Sequence, residues 1–288
     1  MEECLKLKKN TLITPVVKWV GGKRQLLDEI SNLIPKNIST YVEPFVGGGA
    51  VLFDLQPNKA IVNDYNEELI NVYNVIKNKP EELIDMLKHY KEKNSEEFFY
   101  EVRALDRTDS YKTIGNIDKA ARMLYLNKTC YNGLFRVNRA GQFNSPYGKY
   151  KDPNIVNEVA IRAVSDYFNN CNIKITSGDY KEALKNLRKG AFVYFDPPYM
   201  PISSSSSFTG YTELGFGLEK QTELRNECLK LHSKGIKFLL SNSYSPEILD
   251  LYSDTSIFTI KVVRANRNIN SKANKRGEIN EVLIYNYE

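Results

Sequence analysis

Tyr41-Val42-Glu43-Pro44-Phe45-Val46-Gly47-Gly48-Gly49, followed by Ala50 to Leu55 and then Ala60-Ile61-Val62-Asn63-Asp64, is the stretch whose reading decides the fold. Tyr41-Val42 is apolar and runs into a glycine-rich turn. Ala50 to Leu55 reads as a short helix, and Ala60 to Val62 as a buried strand that ends at an acid. Strand, glycine turn, helix, strand and acid open a doubly wound α/β domain. Gly47-Gly48-Gly49 lets the main chain turn tightly and come close to a ligand. The chain has no Gly-x-Gly-x-x-Gly and no Gly-Lys-Ser/Thr, so the turn is neither a dinucleotide fingerprint nor a P-loop.

Outward from this stretch the chain divides by character. Upstream, Val16 to Trp19 is short and apolar, Gly21-Gly22 follows, and Lys23 to Leu27 reads as a helix start. After about residue 75, Glu81 to His89, Ser95 to Leu105 and Ile117 to Asn127 read as helices. Asn132 to Asn144 then places two short alternating segments around a glycine turn, the pattern of a β-hairpin, and Pro146 to Lys151 extends it as a polar, basic loop.

From Ile173 the α/β pattern returns. Ile173 to Ile175 leads to Gly178-Asp179, Ala191 to Phe195 is a buried-type strand, Leu218 to Leu231 a helix and Ile236 to Leu240 a strand. Phe258 to Val263 and Glu281 to Tyr285 are expected to pair as an edge hairpin. The simplest organisation is one α/β domain, residues 11–75 and 172–288, interrupted by a helical insert at 76–171 that carries a hairpin at 132–151.

Composition sets wide limits. Of 288 residues 42% are hydrophobic, enough for a real core, and the formal charge is +5, from 40 basic and 35 acidic side chains. That excess is compatible with nucleic acid without requiring it. Cys4, Cys130, Cys171 and Cys228 lack paired spacing, and only His89 and His232 are available to join them. No metal site is expected, and a reduced, cytoplasmic setting is the simplest reading. No apolar run reaches membrane-spanning length.

The second informative element is Asp196-Pro197-Pro198-Tyr199, directly after Ala191-Phe192-Val193-Tyr194-Phe195. A carboxylate, a proline-held turn and an aromatic ring thus stand at the end of a buried strand. The set suits an exocyclic amino group on a flat base: oxygens accept its hydrogens, and a ring stacks on its face. Asp196 and the main-chain carbonyl of Pro197 supply the two acceptors, and Tyr199 the ring. Proline fixes chain direction and offers no competing N–H. No Pro-Cys pair is present, so the cysteine-nucleophile route to cytosine C5 is not expected. Chemistry alone leaves N6 of adenine and N4 of cytosine both open. The serine run Ser203 to Ser207, just beyond, reads on its own as a flexible loop and, beside this turn, as a lid that orders over substrate.

Taken jointly, Lys18-Trp19-Val20-Gly21-Gly22-Lys23, Glu43 to Gly49, Asn63-Asp64, Asn132 to Arg136 with Gln142 to Gly148, Gly178-Asp179 and Asp196 to Tyr199 resemble the Dam-like adenine-N6 DNA methyltransferases. The likeness is closest to the DpnM-type enzymes of GATC-specific restriction–modification systems and runs from about Val16 to the C-terminus. It implies a Rossmann-like methyltransferase core with a mainly helical DNA-recognition insert, and S-adenosylmethionine as cofactor. It implies that Asp64 binds the ribose, that Asp179 lies near the adenine end of the cofactor, and that Trp19 and Lys23 line its methionine end. Phe45, Gly47, Gly49 and Asp196 complete that set. It selects N6 of adenine, flipped out of duplex DNA and attacked directly.

For DNA, the likeness implies that Lys18 contacts the first guanine of GATC and that Leu134, Arg136 and Pro146 read its later part. Arg136 can donate two hydrogen bonds to guanine. Arg139, Lys149 and Lys151 suit phosphates, while Tyr131, Asn132 and Leu134 suit a wedge beside the extruded base. Without the likeness, these residues amount to a basic hairpin. The rivals are an adenine methylase of other sequence or single-strand specificity, a methyltransferase acting on small molecules or proteins, and a DNA-binding relative without catalysis. Restriction protection would require a separate cognate endonuclease, whereas repair or regulatory marking would not. One flipped adenine per event makes a monomer sufficient.

Overall fold

The computed structural model describes residues 9–200, 216–266 and 278–288; the Ser203–Ser207 lid reading lies outside them. Seven strands form one sheet: β1 (Thr40–Glu43), β2 (Lys59–Asp64), β3 (Asn172–Ser177), β4 (Ala191–Phe195), β5 (Lys237–Ser243), β6 (Thr259–Asn266) and β7 (Glu278–Tyr285). Their order is β3-β2-β1-β4-β5-β7-β6. Strands β3, β2, β1, β4 and β5 pair in parallel, and β7 runs antiparallel to both β5 and β6. The two late strands pair as expected, but β7 lies inside the sheet and β6 takes the edge.

A parallel sheet covered on both faces needs apolar residues on both sides of its central strands. β4 meets this demand, with all five residues buried. Phe192 and Tyr194 enter one core together with Tyr41 and Leu239, while Ala191, Val193 and Phe195 enter the other with Val42, Phe238 and Leu240. The first core is covered by α1 (Leu27–Leu33), α2 (Ala50–Leu55), α3 (Glu67–Asn78) and the insert helices, and the second by α8 (Lys181–Leu184), α9 (Leu218–Ser233) and α10 (Pro246–Leu251).

Four longer helices, α4 (Pro80–Glu92), α5 (Glu96–Ala104), α6 (Asn116–Thr129) and α7 (Glu158–Asn170), lie between β2 and β3 in sequence, and α6 and α7 both pack on α3. Arg122 of α6 is fully buried. It pairs with Asp106 at 2.7 Å and donates to the carbonyls of Val102 and Arg103 at 3.0 Å each. A buried guanidinium needs this saturation, because an unpaired one would be costly.

The expected hairpin forms only a sparse ladder. Val137 bridges Phe143 and Cys130 bridges Tyr147 as isolated pairs. Asn138 N–H donates to Gln142 at 2.8 Å and Asn144 N–H to Arg136 at 2.9 Å. Pro146 lacks a donor, and Asn132 and Lys149 adopt left-handed backbone (φ 57° and 53°), so regular pairing cannot propagate. Side chains hold the loop instead: Asp106 accepts from Phe143 N–H at 2.7 Å, and Arg107 donates to Phe143 O at 2.7 Å.

Candidate active site

Strand order reverses between β1 and β4, and in open α/β sheets ligands bind where the carboxyl ends of the strands part at such a point. Glu43-Pro44 leaves β1 there, Asp64 ends β2, Gly178-Asp179 follows β3 and Asp196 follows β4. Asn63 ties the crevice floor: its Nδ2 donates to Gly178 O at 2.9 Å and to Pro44 O at 3.2 Å.

The glycine turn is set by these neighbours. Gly47 has φ 47° and Gly49 φ 70°, a region costly for other residues. A Cβ at Gly47 would lie 2.9 Å from Trp19 Cδ1, and one at Gly49 2.7 Å from Phe53 Cε2. Gly47 N–H donates to Asp64 Oδ2 at 2.9 Å, and its carbonyl accepts from Tyr73 Oη at 2.6 Å. Asp64 Oδ1 accepts from Asn66 N–H at 2.9 Å. Asp64, at the end of β2 beside the crevice, therefore organises the turn through main-chain donors. Burial raises its carboxyl above the usual range, and the main-chain donors pull it back down. Phe45 stacks on Tyr180 at 5.1 Å and meets Phe216 edge-on at 5.6 Å, forming an apolar wall. Asp179 is exposed, and its Oδ1 caps Lys181 N–H at 2.9 Å.

The residues around the crevice suit S-adenosylmethionine in their chemistry. A side-chain-free turn gives close main-chain approach, partly open carboxyls suit ribose hydroxyls, and aromatic walls suit an adenine.

The Asp196–Tyr199 turn is held from several sides. Lys23 Nζ lies 2.8 Å from Asp196 Oδ1, with side-chain exposures of 7% and 21%, and donates to Gly21 O at 2.7 Å. The same ammonium sits 4.6 Å from the Tyr199 ring centroid. Lys23, expected at the methionine end of a cofactor, thus contacts the catalytic-type carboxylate and ring directly. Burial raises the Asp196 carboxyl, the Lys23 charge lowers it, and Glu281 adds to the rise.

Three side chains that sequence reasoning missed complete the frame. Tyr199 Oη donates to Glu281 Oε2 on β7 at 2.7 Å. Gln221 Nε2 of α9 donates to Pro198 O at 2.9 Å, and Asn242 Nδ2 of β5 donates to Gln221 Oε1 at 3.0 Å. Asn242 Oδ1 also accepts from Met200 N–H at 3.3 Å. Gln221 and Asn242 are fully buried. Their partners lie 21 to 82 positions away in sequence, so no local spacing signals them. Glu43, buried and accepting from Tyr41 Oη at 2.8 Å, is held well above the usual carboxylate range, first by burial.

Lys18, Tyr131, Asn132, Arg136, Arg139, Pro146, Lys149 and Lys151 are exposed, while Leu134 is half-buried. Arg136 Nε donates to Asn144 Oδ1 at 2.7 Å, which steadies its guanidinium on the loop, and Lys149 Nζ lies 3.7 Å from Glu96. Trp19 links the two regions: its edge abuts Gly47, and its ring stacks on Phe135 at 5.3 Å. Among the described residues no cluster of His, Cys, Asp or Glu is arranged to hold a metal ion, and no helix is long and apolar enough to cross a membrane.

Comparison with known proteins agrees with this geometry. The chain is 45% identical over 282 residues to the type II methyltransferase M1.LlaDCHI of Lactococcus lactis subsp. cremoris, covering 98% of each chain. It is 42% identical over 293 residues to the type II methyltransferase M.MjaIII of Methanocaldococcus jannaschii, covering 96% of this chain and 99% of that one. It is 32% identical over 279 residues to the DNA adenine methylase of Escherichia coli, covering 96% and 95%. Residues 19–269 match the family model of the D12 class N6 adenine-specific DNA methyltransferases. With a glycine-lined crevice and an Asp-Pro-Pro-Tyr turn meeting at the switch point of its sheet, the chain belongs to that D12 class and is an S-adenosylmethionine-dependent enzyme that methylates adenine N6 in DNA.

Proposed function

We propose that the enzyme methylates the adenine of duplex GATC after flipping it out of the helix: N6 attacks the methyl group directly, the methyl–sulfur bond breaks to leave S-adenosylhomocysteine, and N6 gives up one proton to solvent. The contact that carries the chemical part is the Asp196–Tyr199 turn, framed by Lys23, Glu281 and Gln221. S-adenosylmethionine, when bound, supplies a methyl group already activated for transfer. Asp64 would hold its ribose, Gly47 and Gly49 would let it come close to the main chain, Phe45 and Asp179 would flank its adenine, and Trp19 would border its methionine end.

N6 is a poor nucleophile because its lone pair is conjugated with the ring. Asp196 accepts one N6 hydrogen and the Pro197 carbonyl the other, which favours a more tetrahedral nitrogen. Gln221 donates to the neighbouring Pro198 carbonyl, which steadies the turn that carries Pro197. Tyr199 stacks on the flipped adenine while Glu281 fixes its hydroxyl. Lys23 lowers the Asp196 carboxyl and so keeps an acceptor there.

The recognition part is assigned to the insert at 76–171, with its loop at 132–151. Lys18 and Arg136 read guanines, Leu134 and Pro146 contact bases, Tyr131 and Asn132 support the gap, and Arg139, Lys149 and Lys151 bind phosphates. The GATC reading rests on the likeness of Asn132–Arg136 and Gln142–Gly148 to the Dam-like pattern. The names of the Lactococcus and Methanocaldococcus relatives support a modification role beside a separate restriction endonuclease.

Transfer of labelled methyl to three duplexes tests this function: GATC, GATC with purine in place of the adenine, and a scrambled site. Label on the first alone is the expected result. Equal label on the scrambled duplex would overturn the GATC assignment.

A further inference from the structure

The buried amide of Asn127 lies at the junction of the two functional regions. It stands in the last turn of α6 and is 2% exposed. Its Oδ1 accepts from Lys18 N–H at 2.8 Å, and its Nδ2 donates to Lys18 O at 2.8 Å and to Gly133 O at 3.1 Å. Both amide hydrogens and the oxygen are therefore used.

Lys18 belongs to no strand or helix, so this one side chain serves both of its main-chain groups, as a strand neighbour would. The third bond reaches the start of the base-reading loop. Gly133 approaches from the other side: it has φ 64°, and a Cβ there would lie 2.7 Å from Lys18 Cδ and 3.3 Å from Asn127 O. The Lys18 side chain thus leaves a backbone fixed to α6 and runs along a glycine that must stay bare.

We infer that Asn127 is a positioning residue for sequence readout: it fixes Lys18, exposed on the core side, in register with the loop that begins at Asn132. The inference rests on the assignment of Lys18 as a base reader above. Base discrimination depends on hydrogen-bond geometry, so a displaced Lys18 loses selectivity at its own base while the loop continues to read the others. A role confined to stability would lower activity on all duplexes alike.

The test compares kcat/KM on duplex GATC and on four duplexes, each with one base pair exchanged or its major-groove acceptor removed. Lys18→Ala first identifies the position that Lys18 reads. Asn127→Ala is expected to lower discrimination at that same position by about five- to tenfold or more, to leave discrimination by Arg136 unchanged, and to add little in the double variant with Lys18→Ala. Gly133→Ala, which leaves the Asn127 amide in place and crowds Lys18, is expected to give the same single-position loss; it carries the test if Asn127→Ala does not fold. Wild-type discrimination in the folded variants, or an equal loss at every position, overturns the inference while leaving the GATC reading intact. Absence of discrimination in the wild-type enzyme, or no change with Lys18→Ala, overturns the reading and the inference with it.

Discussion

The turn after β4 and the loop between α6 and α7 are both irregular segments, yet they are held in opposite ways. Asp196 to Met200 is clasped by groups from four other parts of the fold: Lys23 from the N-terminal segment, Gln221 from α9, Asn242 from β5 and Glu281 from β7. Most of these groups are shielded from water, where hydrogen bonds are stronger and unpaired groups costly. The loop from Tyr131 to Lys151 is anchored at its base, through Phe143, Gly133 and Gly148, while its long cationic side chains face solvent. Chemistry needs reacting atoms held in one geometry. DNA reading needs side chains that reach outward. Changes in the first segment should therefore slow transfer, and changes in the second should alter binding and selectivity.

The largest effect is expected from Asp196→Ala, with a fall in kcat of about 10²–10³-fold or more in single-turnover transfer. Removing an acceptor present in the transition state lowers rate, so a loss expressed only in KM would break the contrast. Next comes Arg136→Ala. Its kcat/KM on GATC should fall about 10- to 100-fold, with relaxed choice at one base pair and a plateau rate close to wild type. A collapsed plateau with unchanged selectivity would move Arg136 out of the reading surface.

Lys23→Gln sharpens the comparison through pH. Lys23 opposes the burial-driven rise of the Asp196 carboxyl, so its loss should move the acid limb of the kcat/KM profile to higher pH. The sign follows from linkage: a carboxylate without its cation takes up a proton sooner as pH falls. In stability the same rise means that the cost of an ionised, buried Asp196 is present above its folded pKa and is relieved as pH falls through it. An acid limb that moves down or stays put would contradict the electrostatic role of Lys23. The smallest effect is expected for Lys149→Gln, whose pairing with Glu96 is long and exposed. It should reduce the slope of log affinity against log salt by about one, uniformly across sequences.

Legibility in the sequence follows the same division. Strands such as Ala191–Phe195 and Ala60–Asp64 were readable because a covered parallel strand writes itself as a continuous apolar run, and the elements at both ends of the crevice carry their own turn chemistry. Helices α3 and α7 are less legible, although Asn66 and Asn157 cap them through side-chain acceptors: a cap plus an interrupted apolar stripe is a weaker signal than a strand run. The hairpin was recognised by alternation around a glycine, but that pattern did not reveal how few ladder bonds it makes. Asn127, Gln221, Asn242 and Glu281 were invisible for a different reason. Each acts through a partner remote in sequence, and only the packed fold brings those partners within hydrogen-bond reach.

Binding of a labelled GATC duplex by Asp196→Ala, followed by fluorescence anisotropy in the presence of S-adenosylmethionine, separates the two regions most directly. If chemistry resides in the clasped turn and reading in the exposed loop, the variant should bind DNA within about threefold of wild type, less than about 1 kcal/mol, while its transfer is lost. Weakening of DNA binding in proportion to the loss of transfer would contradict that separation.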